Sequence, residues 1–182
     1  MDFFKGSDGV FMIQLKLSSD ALDVIDSELA VTMAYEDIRP LKGQIGLVDW
    51  RLNGKVSRLI LNRRFKGAKG DALLMPAGGR LGARELLVLG MGFKREITEA
   101  EIPEMLNIIL DRILKKKCAS FAMSLSDITP GMFEWRNTVR RFVSMLSGRP
   151  ESYKITLTEP DEFIQDAKRR HMDFSYDVTV QY

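Results

Sequence analysis

From Glu85 onward the sequence alternates between two kinds of segment. A short apolar run is followed by a longer stretch with apolar residues at every third or fourth position, and then by another apolar run. RELLVLG (Arg84 to Gly90), CASFAMSL (Cys118 to Leu125), YKITL (Tyr153 to Leu157) and the closing DFSYDVTVQY read as strands, with helical stretches between them. The order is β-α-β-α-β-α-β. Each helix must carry the chain back across the sheet before the next strand can pair. This calls for a sheet with helices on both faces. LLVLG lacks alternation, so it is expected as a central strand covered on both sides.

The helices carry their own start and stop signals. Thr98 and Glu101 have capping-box spacing, and Ile97 and Ile102 are placed for a hydrophobic staple. Ile102, Met105, Leu106, Ile109, Leu110, Ile113 and Leu114 then share one face, and Pro103 sits late for a first-turn proline, which lets the start slip by a residue or two. Lys115, Lys116 and Lys117 close this helix, where cations suit its negative end. A second helix follows Thr129-Pro130 with Phe133, Val139, Phe142, Val143 and Leu146 on its apolar face, and it ends at Gly148 and Pro150. Asp161 to Arg170 forms a third, shorter one.

The first half is less regular. VFMIQLKL (Val10 to Leu17) reads as a strand with one solvated face, and LAVTMAYED (Leu29 to Asp37) as a more buried one. RPLKGQIG is loop-like, and Leu47 to Leu61 has near-helical spacing interrupted at Asn53-Gly54, so a broken or short helix is expected there. DALLMP (Asp71 to Pro76) and RELLVLG, joined by AGGRLGA, read as an antiparallel hairpin, which makes the sheet mixed. The 182 residues, with neither an internal repeat nor a low-complexity segment, suit one domain, 1–182.

The bulk numbers exclude several classes. With 45% hydrophobic residues and no apolar run of about 18 to 20, the chain is neither disordered nor membrane-spanning. The N-terminus MDFFKGSDG lacks the pattern of a secretory leader, so a cytoplasmic location is expected. The single cysteine, Cys118, excludes an internal disulfide and reads as a buried, inert thiol. The net charge of +2 is unevenly spread: Met1 to Asp37 carries two bases against eight acids, and Ile38 to Arg84 eleven bases against two acids. That asymmetry fits an anionic partner or two surfaces that attract each other across a subunit contact.

A search for chemistry returns little. Gly90-Met91-Gly92 supplies the first two glycines of a dinucleotide fingerprint, but Arg95 stands where the third belongs, so a tight turn is the plainer reading. No phosphate-loop triplet and no serine elbow occurs, and His171, the only histidine, lies in the charged stretch KRRHMD. Asp20, Asp23 and Asp26, spaced by three behind Ser19, read as a solvated first helical turn rather than a cation site. No metal site or cofactor is expected. Arg58, Arg63, Arg64, Lys66 and Lys69, with Phe65 among them and Arg51 and Lys55 before them, form a basic patch. It reads as solvated or subunit-facing, with a phosphate-bearing ligand or nucleic acid as the alternative.

One ordered series resembles a known family. An acid-ended strand (Leu29 to Asp37), a leucine-to-glycine turn (Leu41 to Gly43), a helix (Leu47 to Leu61), a phenylalanine close to glycine (Phe65 to Gly67), an apolar strand (Leu73 to Met75) and a basic residue leading into a strand that ends glycine-x-glycine (Arg84 to Gly92) occur in this order. Together they resemble the N-terminal domain of the leucyl, or cytosol, aminopeptidases. The similarity runs from Leu29 to Leu125 and extends through Trp135 and Arg136 to about Leu146.

The resemblance implies an α/β fold, a three-layer α/β/α sandwich with a mixed sheet that is macro-domain-like. It implies that the metal ligands and catalytic residues belong to a separate C-terminal domain; no NTDAEGR-like stretch occurs here, so no peptidase activity is expected. It also implies protein interaction or oligomer assembly as the role, with the regulatory half of a split metal-dependent aminopeptidase as a variant. Macro domains that bind ADP-ribose suggest the alternative, a phosphate-containing ligand near Gly43, Gly46, Gly90, Met91 and Gly92. The asparagine- and glycine-rich loop such domains use is missing, because Asp37 to Gly46 reads DIRPLKGQIG.

Overall fold

The computed structural model describes residues 12–129, 131–172, 174 and 177–182, with only the backbone at 96, 132 and 133. Among the described residues seven strands form one sheet: β1 (Ile13–Ser18), β2 (Ser27–Ala34), β3 (Ala72–Pro76), β4 (Ala83–Gly90), β5 (Ser120–Met123), β6 (Tyr153–Thr158) and β7 (Val178–Gln181). Their order across the sheet is β3-β4-β2-β5-β6-β1-β7. Only the β3–β4 pair is antiparallel; every other neighbour is parallel. The hairpin read from the sequence is thus present at one edge. β4 is covered on both faces as expected, but it stands second from that edge, and β5 takes the middle place. Residues 10 and 11 of the expected first strand lie outside the described residues.

Five α-helices among the described residues cover the sheet: α1 (Gln44–Arg51), α2 (Lys55–Leu61), α3 (Ile102–Lys116), α4 (Met132–Leu146) and α5 (Asp161–Arg169). The period of two along each strand sorts the core. In β2, Leu29, Val31 and Met33 join the cluster under α3, α4 and α5, whereas Ala30 and Ala34 join the cluster under α1 and α2. Leu87 and Leu89 of β4 face the first group, Leu86 and Val88 the second. In the first cluster the ring of Phe121 meets those of Phe142 and Tyr153 edge-on, at centroid distances of 6.2 and 6.5 Å.

Local signals explain where the helices begin and end. The capping box at Thr98 and Glu101 forms, with the Thr98 N–H donating to Glu101 Oε2 at 2.9 Å. It caps a 3-10 turn, Glu99–Glu101, that leads directly into α3, so Pro103 falls in the first turn of the α-helix proper. Lys117 ends α3 in the left-handed region at φ 56°, and Lys116 pairs with Glu85 at 2.6 Å. The break at Asn53-Gly54 is real, since Asn53 and Gly54 both have positive φ. Asp49 of α1 bridges it: its buried carboxylate accepts the N–H groups of Val56 (2.7 Å) and Ser57 (3.2 Å) and the Ser57 hydroxyl (2.5 Å). This capping from the preceding helix satisfies the free amides at the start of α2. Pro130, expected to open α4, lies outside the described residues, and the side chain of Phe133 is not described.

One expectation fails. Asp20, Asp23 and Asp26 do not share a helix face, because only Leu22–Val24 forms a 3-10 turn and β2 begins at Ser27. Asp23 is buried, not solvated, and accepts from Arg51 Nε at 2.7 Å, while Ser18 rather than Ser19 bonds Asp20. The pairing of Asp23 with α1 outweighs the local spacing.

Candidate functional site

All the parallel strands end on the same side. β2 leads into α1 on one face, whereas its neighbour β5 leads into α4 on the opposite face, so their loops diverge and leave a crevice between them. Such a switch point is where open α/β sheets bind ligands. Tyr35 follows β2 here, and its hydroxyl donates to the backbone carbonyl of Asp127 in the loop after β5 at 2.8 Å. Burial, followed by the nearby charge of Asp127, pushes the Tyr35 hydroxyl well above its ordinary pKa. Lys94, just beyond β4, lies 5.1 Å from the Tyr35 ring centroid. Arg39 ties the crevice to the basic loop, donating to the carbonyls of Tyr35 and, at 2.9 Å, Lys66.

Two carboxylates dominate this end of the sheet. Glu159, directly after β6, is buried and accepts the N–H groups of Leu125 (2.7 Å) and Ser126 (3.1 Å) and the Ser124 hydroxyl (3.2 Å). Burial raises its pKa, and the donors from Ser126 and Leu125 pull it back. Asp127 is half-buried and, among the described residues, its carboxylate has no hydrogen-bond or ion-pair partner. Burial pushes it up to about 6 against the opposing pull of Lys94. Asp37 behaves in the opposite way: the backbone N–H of Lys94 donates to it at 2.8 Å and holds it below the usual carboxylate range.

The glycines marked in the sequence fall around this crevice with separate tasks. Gly43 caps α1 at φ 66°, and a β-carbon there would lie 3.8 Å from Asp127 Oδ1. Gly46 packs so tightly that a β-carbon would stand 2.8 Å from the Leu41 carbonyl. In the Gly90-Met91-Gly92 turn every amide is used within the protein: Gly90 donates to Asp71, Met91 to Ala34 and Gly92 to Gly67, at 2.8, 3.0 and 2.9 Å. A β-carbon on Gly90 would meet the Ala68 carbonyl at 2.1 Å, so glycine is required for this close approach. The turn clamps the basic loop onto the sheet.

The basic patch is only partly assembled. Arg63, Arg64 and Lys66 are exposed, Arg58 donates to the Asn53 carbonyl, and Lys69 pairs with Glu104 at 2.6 Å. Phe65 is buried, 4% exposed, and packs in the core under α1 and α2, so it cannot stack on a base. Cys118 is buried and its thiol is pushed up to about 11 by burial. His171 is exposed, and among the described residues no cluster of three or more His, Cys, Asp or Glu side chains could hold a metal ion. Among the described residues, no helix is long and apolar enough to cross a membrane. Sequence reasoning did not single out Tyr35, Asp127 or Glu159. Neither spacing nor composition marks them, because the sheet joins residues as far apart as 35 and 127.

The sequence profile of the cytosol aminopeptidase family, N-terminal domain, matches residues 31–153. The chain belongs to the cytosol aminopeptidase family. It is 26% identical over 116 residues to a protein of Sulfurihydrogenibium sp. named "Probable cytosol aminopeptidase", a stretch covering 64% of this chain and 22% of that protein. The chain spans about a quarter of the length of the curated relatives it matches. The chain also shares its fold with solved macrodomains. The macrodomain of Mycobacterium tuberculosis DarG matches with a TM-score of 0.60 at 18% identity, covering 80% of this chain and 98% of that one. A Trypanosoma brucei macrodomain in complex with ADP matches at 0.59 and 17%, covering 89% and 70%.

Proposed function

We propose that this aminopeptidase N-terminal domain is non-catalytic and works by binding protein, in the first place a second copy of itself. The observation that carries the reading is Trp50, 71% exposed on the outer face of α1. Leu47, 46% exposed, stands one turn before it, and the Arg51 guanidinium lies 5.4 Å from the indole centroid. Arg51 in turn holds Asp23, next to Val24, which is 54% exposed. Tryptophan and arginine are the side chains most often found at the energetic centre of protein interfaces, and clustered exposed apolar residues mark such surfaces. Light scattering after size exclusion at about 100 μM should give a mass above the monomer, with Trp50→Ala smaller. A monomeric parent overturns self-association. Leucyl substrates with added zinc or manganese should show no hydrolysis, and a rate above background overturns the non-catalytic reading.

A second reading rests on the basic side chains of Arg63, Arg64 and Lys66, which are exposed and unpaired among the described residues, and on the ADP held by the Trypanosoma brucei macrodomain. Here the domain takes a phosphate-bearing ligand or nucleic acid. The geometry at the strand ends weighs against it, since the amides of Gly90, Met91 and Gly92 are spent internally and Glu159 fills the amides of Leu125 and Ser126. Calorimetry with ADP-ribose and a gel shift with DNA at two salt concentrations test it; binding that weakens steeply with salt supports it.

A further inference from the structure

A groove of about 410 Å³ lies between the start of α3 and the outer stripe of α4, away from the exposed face of α1. Its volume falls within the range of small-ligand sites. Ile102 and Pro103 contribute its apolar part, and it carries two carboxylates, Glu99 and Glu134, together with two guanidinium groups, Arg140 and Arg141. Four charges of opposite sign in one groove would ordinarily pair. Among the described residues, none of these side chains has an ion-pair or hydrogen-bond partner.

The arrangement has a direction. Glu134 and Arg141 are seven residues apart on α4 and so lie on the same side of the helix, two turns apart. At about 1.5 Å per residue their α-carbons are separated by roughly 10 Å. An extended chain spans about 3.4 Å per residue, so a tripeptide places its terminal ammonium and carboxylate at about the same separation. We propose that this groove binds a short peptide with free termini, its ammonium at Glu99 and Glu134 and its carboxylate at Arg140 and Arg141. The apolar floor suits the intervening side chains, and a guanidinium recognises a carboxylate with paired N–H donors. A phosphate or a nucleotide would leave the two carboxylates of the groove facing an anion.

Calorimetry of the full chain with trialanine, its N-acetylated form and its C-amidated form tests this. Trialanine should bind, and each blocked form should bind about tenfold more weakly, the loss expected for one charge-assisted contact. Arg141→Ala should abolish the preference for the free carboxylate over the amide, and Glu134→Gln should abolish the preference for the free ammonium over the acetylated form. All four groove charges are on the surface or half-buried, so circular dichroism should report both variants as folded. Absence of binding by trialanine up to about 10 mM, or equal binding of the free and blocked forms, overturns the proposal.

Discussion

Replacing Asp127 by asparagine should stabilise the protein, and only above about pH 4. Asp127 is half-buried at the switch point, without a hydrogen-bond or ion-pair partner among the described residues. Burial moves its carboxyl from the ordinary 3.8 to about 6. In the unfolded chain the same group loses its proton near pH 3.9. Between roughly pH 4 and 6 the native state therefore holds more protons than the unfolded state. The group does no harm below pH 4, and stability falls as the pH rises towards 6. At about 1.4 kcal/mol per pH unit this amounts to about 3 kcal/mol by pH 7.

Asparagine has the shape of the protonated acid and cannot ionise. Asp127→Asn should then match the parent at pH 4 and exceed it by up to about 3 kcal/mol at pH 7.5. Urea titrations at pH 4, 5.5 and 7.5, followed by circular dichroism, measure the gap; Glu159 and the other titrating groups are present in both proteins and largely cancel in the difference. A gap that does not widen with pH would refute the reasoning. So would a variant less stable than the parent at pH 7.5, because the carboxylate would then be held charged, with Lys94 as the nearby cation.

Gly90→Ala places a methyl group 2.1 Å from the Ala68 carbonyl, a backbone atom that cannot swing aside, and should cost about 3 kcal/mol or more in a denaturant titration. Asp49→Ala leaves the Val56 and Ser57 donors without their acceptor and should cost about 1 to 3 kcal/mol, seen as a lower midpoint in thermal melts. Phe121→Ala empties the space between Phe142 and Tyr153 and should cost about 3 to 5 kcal/mol by the same measurement. Cys118 should react with a thiol reagent at neutral pH only after denaturation; rapid labelling of the native protein would show that the buried thiol is accessible.

Much of the architecture was legible because it rests on local periodicity. The apolar face of α3 and the unalternating LLVLG run of β4 each follow from which side of a helix or strand must be buried. The break between α1 and α2 was legible too, since Asn53-Gly54 can adopt positive φ cheaply. The family followed from the order of these signals rather than from any one of them, as the profile match over residues 31–153 shows. Where a long-range partner competed with local spacing, the local reading failed. Asp23 left its expected solvated helix because Arg51 was available to pair with it.

The candidate site was the least legible part, for the same reason. Phe65 lies among basic residues in the sequence, yet it turns into the core, and no spacing rule distinguishes that from a stacking platform. The crevice exists because β2 and β5, separated by the β3–β4 hairpin and α3, become neighbours, which brings Tyr35 to Asp127. The sequence by itself determined the strand-and-helix alternation, the mixed sheet and the glycine turn, since these depend on contacts within a few residues. Only the tertiary structure decided that the turn's amides are spent on Asp71, Ala34 and Gly67, that Glu159 occupies the amides after β5 and that the Asp127 carboxylate has no partner among the described residues. Hydrogen bonds between distant segments depend on how the sheet is ordered, and that order is set by the packing of the whole chain.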